Sequence, residues 1–216
     1  GAGDGLVALT AGTSIETTTA DIEAGNGSVT ATANNGSVTI GASVNGEDVT
    51  LTAINAGNNA DVLINATVDA GAGLLDLNAA NSITTTAALS TTGSADLDAT
   101  AGTITLGDTV SAAGVTADAG TDVAVNAAVT AATDGIAITA ANAVTSSAAG
   151  TLTANANGDV TVTATAANIT LAGDVTGAGD GLVALTAGTS IETTTADIEA
   201  GNGSVTATAN NGSVTI

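Results

Sequence analysis

Along this chain, apolar residues alternate with polar or small ones in a set of five-residue segments. The first four are Val7-Ala8-Leu9-Thr10-Ala11, Val29-Thr30-Ala31-Thr32-Ala33, Val49-Thr50-Leu51-Thr52-Ala53 and Leu75-Asp76-Leu77-Asn78-Ala79. Next come Ala95-Asp96-Leu97-Asp98-Ala99, Val115-Thr116-Ala117-Asp118-Ala119, Ile136-Ala137-Ile138-Thr139-Ala140 and Val160-Thr161-Val162-Thr163-Ala164, and then Val183-Ala184-Leu185-Thr186-Ala187 repeats the first. Alternation with period two puts the first, third and fifth residues on one side of an extended chain. Each segment is therefore predicted to be a strand with one buried face. The fifth residue is Ala in every one of them.

The segment starts are separated by 22, 20, 26, 20, 20, 21, 24 and 23 positions, a total of 176 and a mean of 22. Residues 1–40 return unchanged at 177–216, an offset of the same 176. A long repeat is thus made of eight short ones, the signature of a stacked array. Two further apolar starts follow inside the intervals: Ile15 and Ile22, Val38 and Val44, Ile83 and Leu89, Ile104 and Val110, Val123 and Val129, Ile169 and Val175. Three short strands per ~22 residues, punctuated by Gly, Asn and Asp, make one turn of a β-solenoid with a roughly triangular section.

The fold class predicted is all-β: a right-handed parallel β-solenoid with three short strands per coil and an eight-coil superrepeat. Right-handed winding is expected because crossovers between parallel strands nearly always take that hand. Residues 1–176 read as one full repeat and 177–216 as the start of the next, continuous with the first. Helix is disfavoured by runs such as Glu16-Thr17-Thr18-Thr19, by the 28 glycines and by the absence of a sustained 3.6-residue pattern. An antiparallel sandwich of short strands would not explain why equivalent strands recur at one turn's length. At ~4.8 Å per coil the repeat advances ~38 Å and the chain ~47 Å. The duplicated text reads as a window slightly longer than one period of a longer rod.

Composition narrows the picture further. The chain has no Lys, Arg, His, Cys, Met, Pro or aromatic residue, and its 21 Asp and Glu give a net charge of −21. With 44% hydrophobic residues and a mean hydropathy of +0.43 it is too apolar for an acidic disordered tail. A core of Ala, Val, Leu and Ile alone must be narrow and built from many similar contacts. Without cations the surface repels nucleic acid and anionic membranes, so neither is expected as a partner. Thr, Asn, Asp or Gly interrupts every apolar stretch, which leaves no membrane-inserting run. The alphabet offers no site to trypsin-like or chymotrypsin-like proteases and no sulfur to oxidise, which favours life outside the cell.

Catalysis is not expected. Lyase chemistry on acidic sugars calls for Arg or Lys, zinc chemistry for His or Cys, and all are absent. A hydrolase would need two carboxylates at a set separation in a groove.

The outward second and fourth positions of the aligned segments carry the candidate chemistry. Thr10, Thr30, Thr32, Thr50, Thr52, Thr161 and Thr163 make Thr-rich patches, similar in kind to the hydroxyl rows of ice-binding solenoids. Between the patches, the register stacks Asp76 on Asp96 and Asp98 on Asp118. Oxygen-only ligands free of competing Lys suit Ca²⁺, so Asp76, Asn78, Asp96, Asp98 and Asp118 form a candidate cation site. The alternatives are a solvated acidic face and, for Thr, a plain preference for strand surfaces. The calcium-binding β-roll nonapeptide is missing, and Asn-x-Ser/Thr sequons begin at Asn26, Asn35, Asn65, Asn168, Asn202 and Asn211.

Strands such as Gly36-Ser37-Val38-Thr39-Ile40, the Val-x-Leu-x-Ala alternation with Ser-Ile turns, and the Gly-Asn and Asn-Gly corners resemble the repetitive shaft of filamentous haemagglutinin-like adhesins. The likeness spans the chain at the level of coil pattern. It implies a very long right-handed β-helix exported to a bacterial surface. The function expected is that of a structural extracellular fibre, adhesin shaft or sheath segment whose partner is itself, by end-to-end continuation and by cation-bridged bundling. A ligand-binding surface module, a Ca²⁺-dependent adhesin or an ice binder, is the alternative.

Overall fold

The computed structural model describes residues 5–55, 57 and 59–216. Residues 1–4, with which the repeat opens, lie outside that range. Among the described residues the chain forms 29 strands and no helix. These build three parallel sheets of ten, ten and nine strands, wound as a β-solenoid of about nine turns with about 22 residues per turn. Each coil places a five- or six-residue strand on the first face and shorter strands on the second and third.

Register on the first face follows the sequence alignment. Val7 pairs with Val29, Val29 with Val49, Val49 with Leu75, Leu75 with Ala95 and Ala95 with Val115. The series continues from Val115 to Ile136, Val160 and Val183. The longest interval, between Val49 and Leu75, puts its extra residues in the corner between the Val49–Ala53 and Val62–Ile64 strands. A corner can lengthen without disturbing register, because strands above and below hydrogen-bond only to each other.

Inward residues of all three faces meet in one continuous apolar column. Leu51, Leu77, Leu97 and Ile138 fill the middle of the first face, fully buried. Ala33, Ala53, Ala79, Ala99, Ala119, Ala140, Ala164 and Ala187 line up where that face turns toward the second, all buried. Small side chains suffice because each coil is roofed and floored by its neighbours.

The duplicated sequence measures that effect directly. Val29 and Val205 are the same residue of the repeat, yet Val29 is 0% exposed under its neighbouring coil and Val205, in the last coil, is 42% exposed. Ile40 and Ile216 differ likewise, at 0% and 63%.

Two features escape the hydrophobic pattern. Thr85 occupies an inward position that Ile40, Ile64 and Leu106 fill in other coils. Its hydroxyl oxygen accepts from Gly107 N–H of the next coil at 3.2 Å. Thr17 serves Gly41 in the same way at 3.1 Å, and Ser146 serves Ala172 at 3.1 Å. Buried Thr91 accepts from Gly93 N–H and donates to the Gly73 carbonyl. Among the described residues, no buried side-chain polar atom lacks a partner.

The corner leading into the first face is left-handed at Gly25, Gly71, Gly179 and Gly201, with φ of 62°, 52°, 64° and 33°. Each stands four residues before its strand. Ala156 stands at the same place before Val160 and has φ of 54°, the one non-glycine residue with positive φ among those described.

Candidate functional site

The second and fourth positions of the first face point outward and form two columns up the rod. At the fourth position Thr10, Thr32 and Thr52 stack in register, then Asn78, Asp98 and Asp118, then Thr139, Thr163, Thr186 and Thr208. At the second position Thr30 and Thr50 lead to Asp76 and Asp96, followed by Thr116, Ala137, Thr161 and Ala184. An acidic band thus lies between two threonine patches. Asp76 pairs with Asp96, Asn78 with Asp98, and Asp98 with Asp118.

Like charges one strand apart raise each other's cost of ionisation. The Asp96 carboxyl is pushed above its ordinary value by loss of water against the stacked strands first, then by the carboxylates of Asp76, Asp118 and Asp98. Loss of water also leads for Asp98, followed by the charges of Asp118 and Asp76. The Asn78 amide does not bridge upward; it donates to Asp76 Oδ1 on its own strand at 2.7 Å. Among the described residues, no group of three or more His, Cys, Asp or Glu is placed to hold a metal ion. A column of side chains on a flat sheet offers an ion oxygens from one side, whereas Ca²⁺ takes six to eight around it. The five residues are aligned, but they do not form a cage.

Six of the remaining aspartates have a task that sequence reading missed. The residue just before a strand turns its side chain toward the coil above and accepts the N–H of the equivalent residue there. Asp21 accepts from Ser43, Asp48 from Leu74 and Asp61 from Ser82, at 3.1, 2.9 and 3.0 Å. Asp122 accepts from Ala143, Asp159 from Leu182 and Asp174 from Asp197, at 3.0, 2.7 and 2.9 Å. Hydroxyls and amides do the same: Ser14 for Ser37, Ser37 for Asp61, Ser82 for Thr103 and Asn168 for Ser190. The signal was present as Ser, Asp or Asn directly before Val or Ile, a pairing that turn propensity alone does not explain. Six of the chain's 21 acidic residues therefore sit at corners as backbone acceptors for the next coil.

A trough of about 310 Å³ opens on the first face beside Gly114 and Gly135, where Ala137 takes the place of Thr in the second-position column. Asp134 and Asp159 border it together with Ser94, Thr116 and Thr161. The Asp159 carboxylate is already engaged by Leu182 N–H. What the geometry offers is thus two ordered surfaces, threonine and acidic, on a stiff frame. No protein-family model matches the chain, and no match to it was found among curated proteins or solved structures.

Proposed function

We propose that the chain is a segment of a structural fibre: an extracellular filament, adhesin shaft or sheath built from tandem β-solenoid repeats. The observation that carries this reading is the passage from one 176-residue repeat to the next. Val160 pairs with Val183 on the first face, Ile169 with Ile191 on the second and Val175 with Ile198 on the third, all parallel. A repeat that stacks on its predecessor through all three sheets can extend by adding copies, and its stiffness grows from unbroken hydrogen bonding along the axis.

The filamentous haemagglutinin-like likeness and a composition without trypsin-like or chymotrypsin-like cleavage sites or oxidisable sulfur support a surface or extracellular setting. In this reading the charge of −21 keeps rods apart until cations screen it or bridge them. Electron microscopy of chains carrying one, two and four repeats tests the proposal. Rods of constant width whose length rises in proportion to repeat number are expected. Short particles with a distinct head, or a width that changes with repeat number, would overturn it in favour of a presented binding module.

A further inference from the structure

We propose that the Asn-Gly corners at Asn35 and Asn45 are latent self-modification sites, closed while the coils are stacked and opened when the coils part. The proposal goes beyond the fibre reading and does not rest on it. Asn-Gly is the pair most prone to deamidation, because glycine has no Cβ to hinder its own backbone nitrogen. That nitrogen attacks the Asn Cγ, a C–N bond forms, and the side-chain nitrogen leaves as ammonia. Water then opens the cyclic imide at either carbonyl, which leaves aspartate or isoaspartate in place of Asn. The net exchange is water in and ammonia out, so solvent is the only reactant needed.

Asn-Gly stands at residues 26–27, 35–36, 45–46 and 157–158, and the repeat brings it back at 202–203 and 211–212. Asn26, Asn35, Asn45 and Asn157 are all exposed, so water reaches each carboxamide. What differs is the hold on the nucleophile. Gly36 N–H donates to the Ile54 carbonyl at 3.2 Å and Gly46 N–H to the Asp69 carbonyl at 3.0 Å, each in the coil above. Gly27 and Gly158 are held within their own turns, their N–H groups donating to the Ala24 carbonyl at 3.0 Å and the Asn155 carbonyl at 2.9 Å. The Asn157 carboxamide is tethered as well, since its Oδ1 accepts Asp180 N–H from the coil above at 3.1 Å. A nitrogen whose hydrogen is committed to a carbonyl, in a peptide plane fixed by the stack, is turned away from Cγ.

Two kinds of gate follow. A bond inside one turn breaks when that turn flexes, whereas a bond between coils breaks only when the coils separate. Asn26 stands behind a local gate, Asn35 and Asn45 behind a coil gate. These two corners are also closed from below. A Cβ on Gly36 would lie 2.5 Å from Ser14 Oγ, and one on Gly46 would lie 3.0 Å from both the Gly27 carbonyl oxygen and a Val29 methyl. Isoaspartate adds a methylene to the backbone just before these glycines, in a corner without space for it. An opened coil that converts is thereby hindered from closing, and a passing separation becomes a lasting one.

Deamidation of the whole chain at mildly alkaline pH, in buffer and across urea up to full unfolding, tests the gate. Cleavage before Asp21 and Asp48 releases residues 21–47, a fragment that carries Asn26, Asn35 and Asn45 and differs in length from the one beginning at Asp197. Mass spectrometry then reads each site. In buffer Asn35 and Asn45 should convert at least tenfold more slowly than in the unfolded chain. Below the unfolding transition their rates should climb steeply and together with urea, because coil separation exposes much surface. Asn26 should be faster in buffer and rise on a shallower slope.

Conversion of Asn35 or Asn45 in buffer within threefold of the unfolded rate, or a urea slope as shallow as that of Asn26, would overturn the coil gate. Refolded chains carrying isoaspartate at 35 or 45 should melt below chains unconverted at both, and equal melting temperatures would overturn the lasting effect. None of these results alters the length series of the multi-repeat rods, on which the fibre reading stands or falls separately.

Discussion

Asp98 sits one strand below Asp118 and one above Asn78, so its carboxylate faces another carboxylate on only one side along the rod. Its proton affinity, like that of Asp96, is raised in the folded chain above the ordinary value of 3.8. In the window between that value and the folded one, the native state holds more protons than the unfolded chain. Stability from these two groups is therefore greatest below the unfolded value and declines as pH rises through the folded one. Asp96→Asn together with Asp98→Asn should raise stability at pH 7 by some tenths of a kcal/mol per relieved pair. The gain should shrink toward zero below pH 3.8. Thermal melts of both chains across that pH range check the sign, and a gain that grows on acidification would refute it.

Asp122 makes a different prediction, because its carboxylate is an acceptor within the fold. Oδ1 takes hydrogen bonds from the Asn142 amide at 2.7 Å and from Ala143 N–H at 3.0 Å in the coil above. Asp122→Ala leaves the backbone donor without that partner and should cost about 1–2 kcal/mol. Asp122→Asn keeps an acceptor oxygen and should cost less than half as much. Urea denaturation of the pair distinguishes loss of the acceptor from loss of the charge. Equal destabilisation by both substitutions would assign the effect to charge.

The strands and their register were legible because a solenoid repeats one local rule. Val29, Val49 and Leu75 each open a period-two segment, and segments aligned by sequence are the ones that pair. The column of fifth-position Ala could be counted from the sequence, and its burial where the first face turns toward the second comes from the fold. Thr85 was invisible for another reason. Its inward hydroxyl is satisfied by sharing the Gly107 N–H, 22 residues away, with the Thr85 carbonyl, a contact set by the next coil's corner. The acidic band was legible as an alignment of Asp76, Asp96, Asp98 and Asp118. Its failure to gather donors around one point follows from the flatness of the sheet, which alternation alone does not encode.

That flatness bears on divalent ions. Carboxylates in two columns on one flat face bind Ca²⁺ as a charged surface does, through long-range attraction that salt screens. Calorimetric titration with CaCl₂ should show no saturable stoichiometric step, and whatever heat appears should fall severalfold between 20 and 200 mM NaCl, roughly a threefold change in screening length. A saturable step that persists at high salt and disappears in Asp96→Asn would show that the ladder closes into a true site. Divalent-induced bundling of rods, followed by light scattering, should share the same salt sensitivity.

Ala156 supplies the last prediction. It has φ of 54° at a corner where Gly25, Gly71, Gly179 and Gly201 occupy the other left-handed positions. A side chain costs roughly 1–2 kcal/mol in that conformation. Glycine costs roughly 0.5–1 kcal/mol through its greater freedom in the unfolded chain. Ala156→Gly should therefore stabilise the rod by about 0.5 kcal/mol, which in a domain of this size raises the melting temperature by about 1–2 °C. The reverse change one coil up is not its mirror image. A Cβ on Gly179 would lie 2.3 Å from the Ala156 carbonyl oxygen, so Gly179→Ala adds a backbone clash to the conformational cost and should lose at least 2 kcal/mol. Melting curves of the two variants beside the parent chain decide the matter: a lower melting temperature for Ala156→Gly would mean that contacts of its methyl group outweigh the left-handed strain.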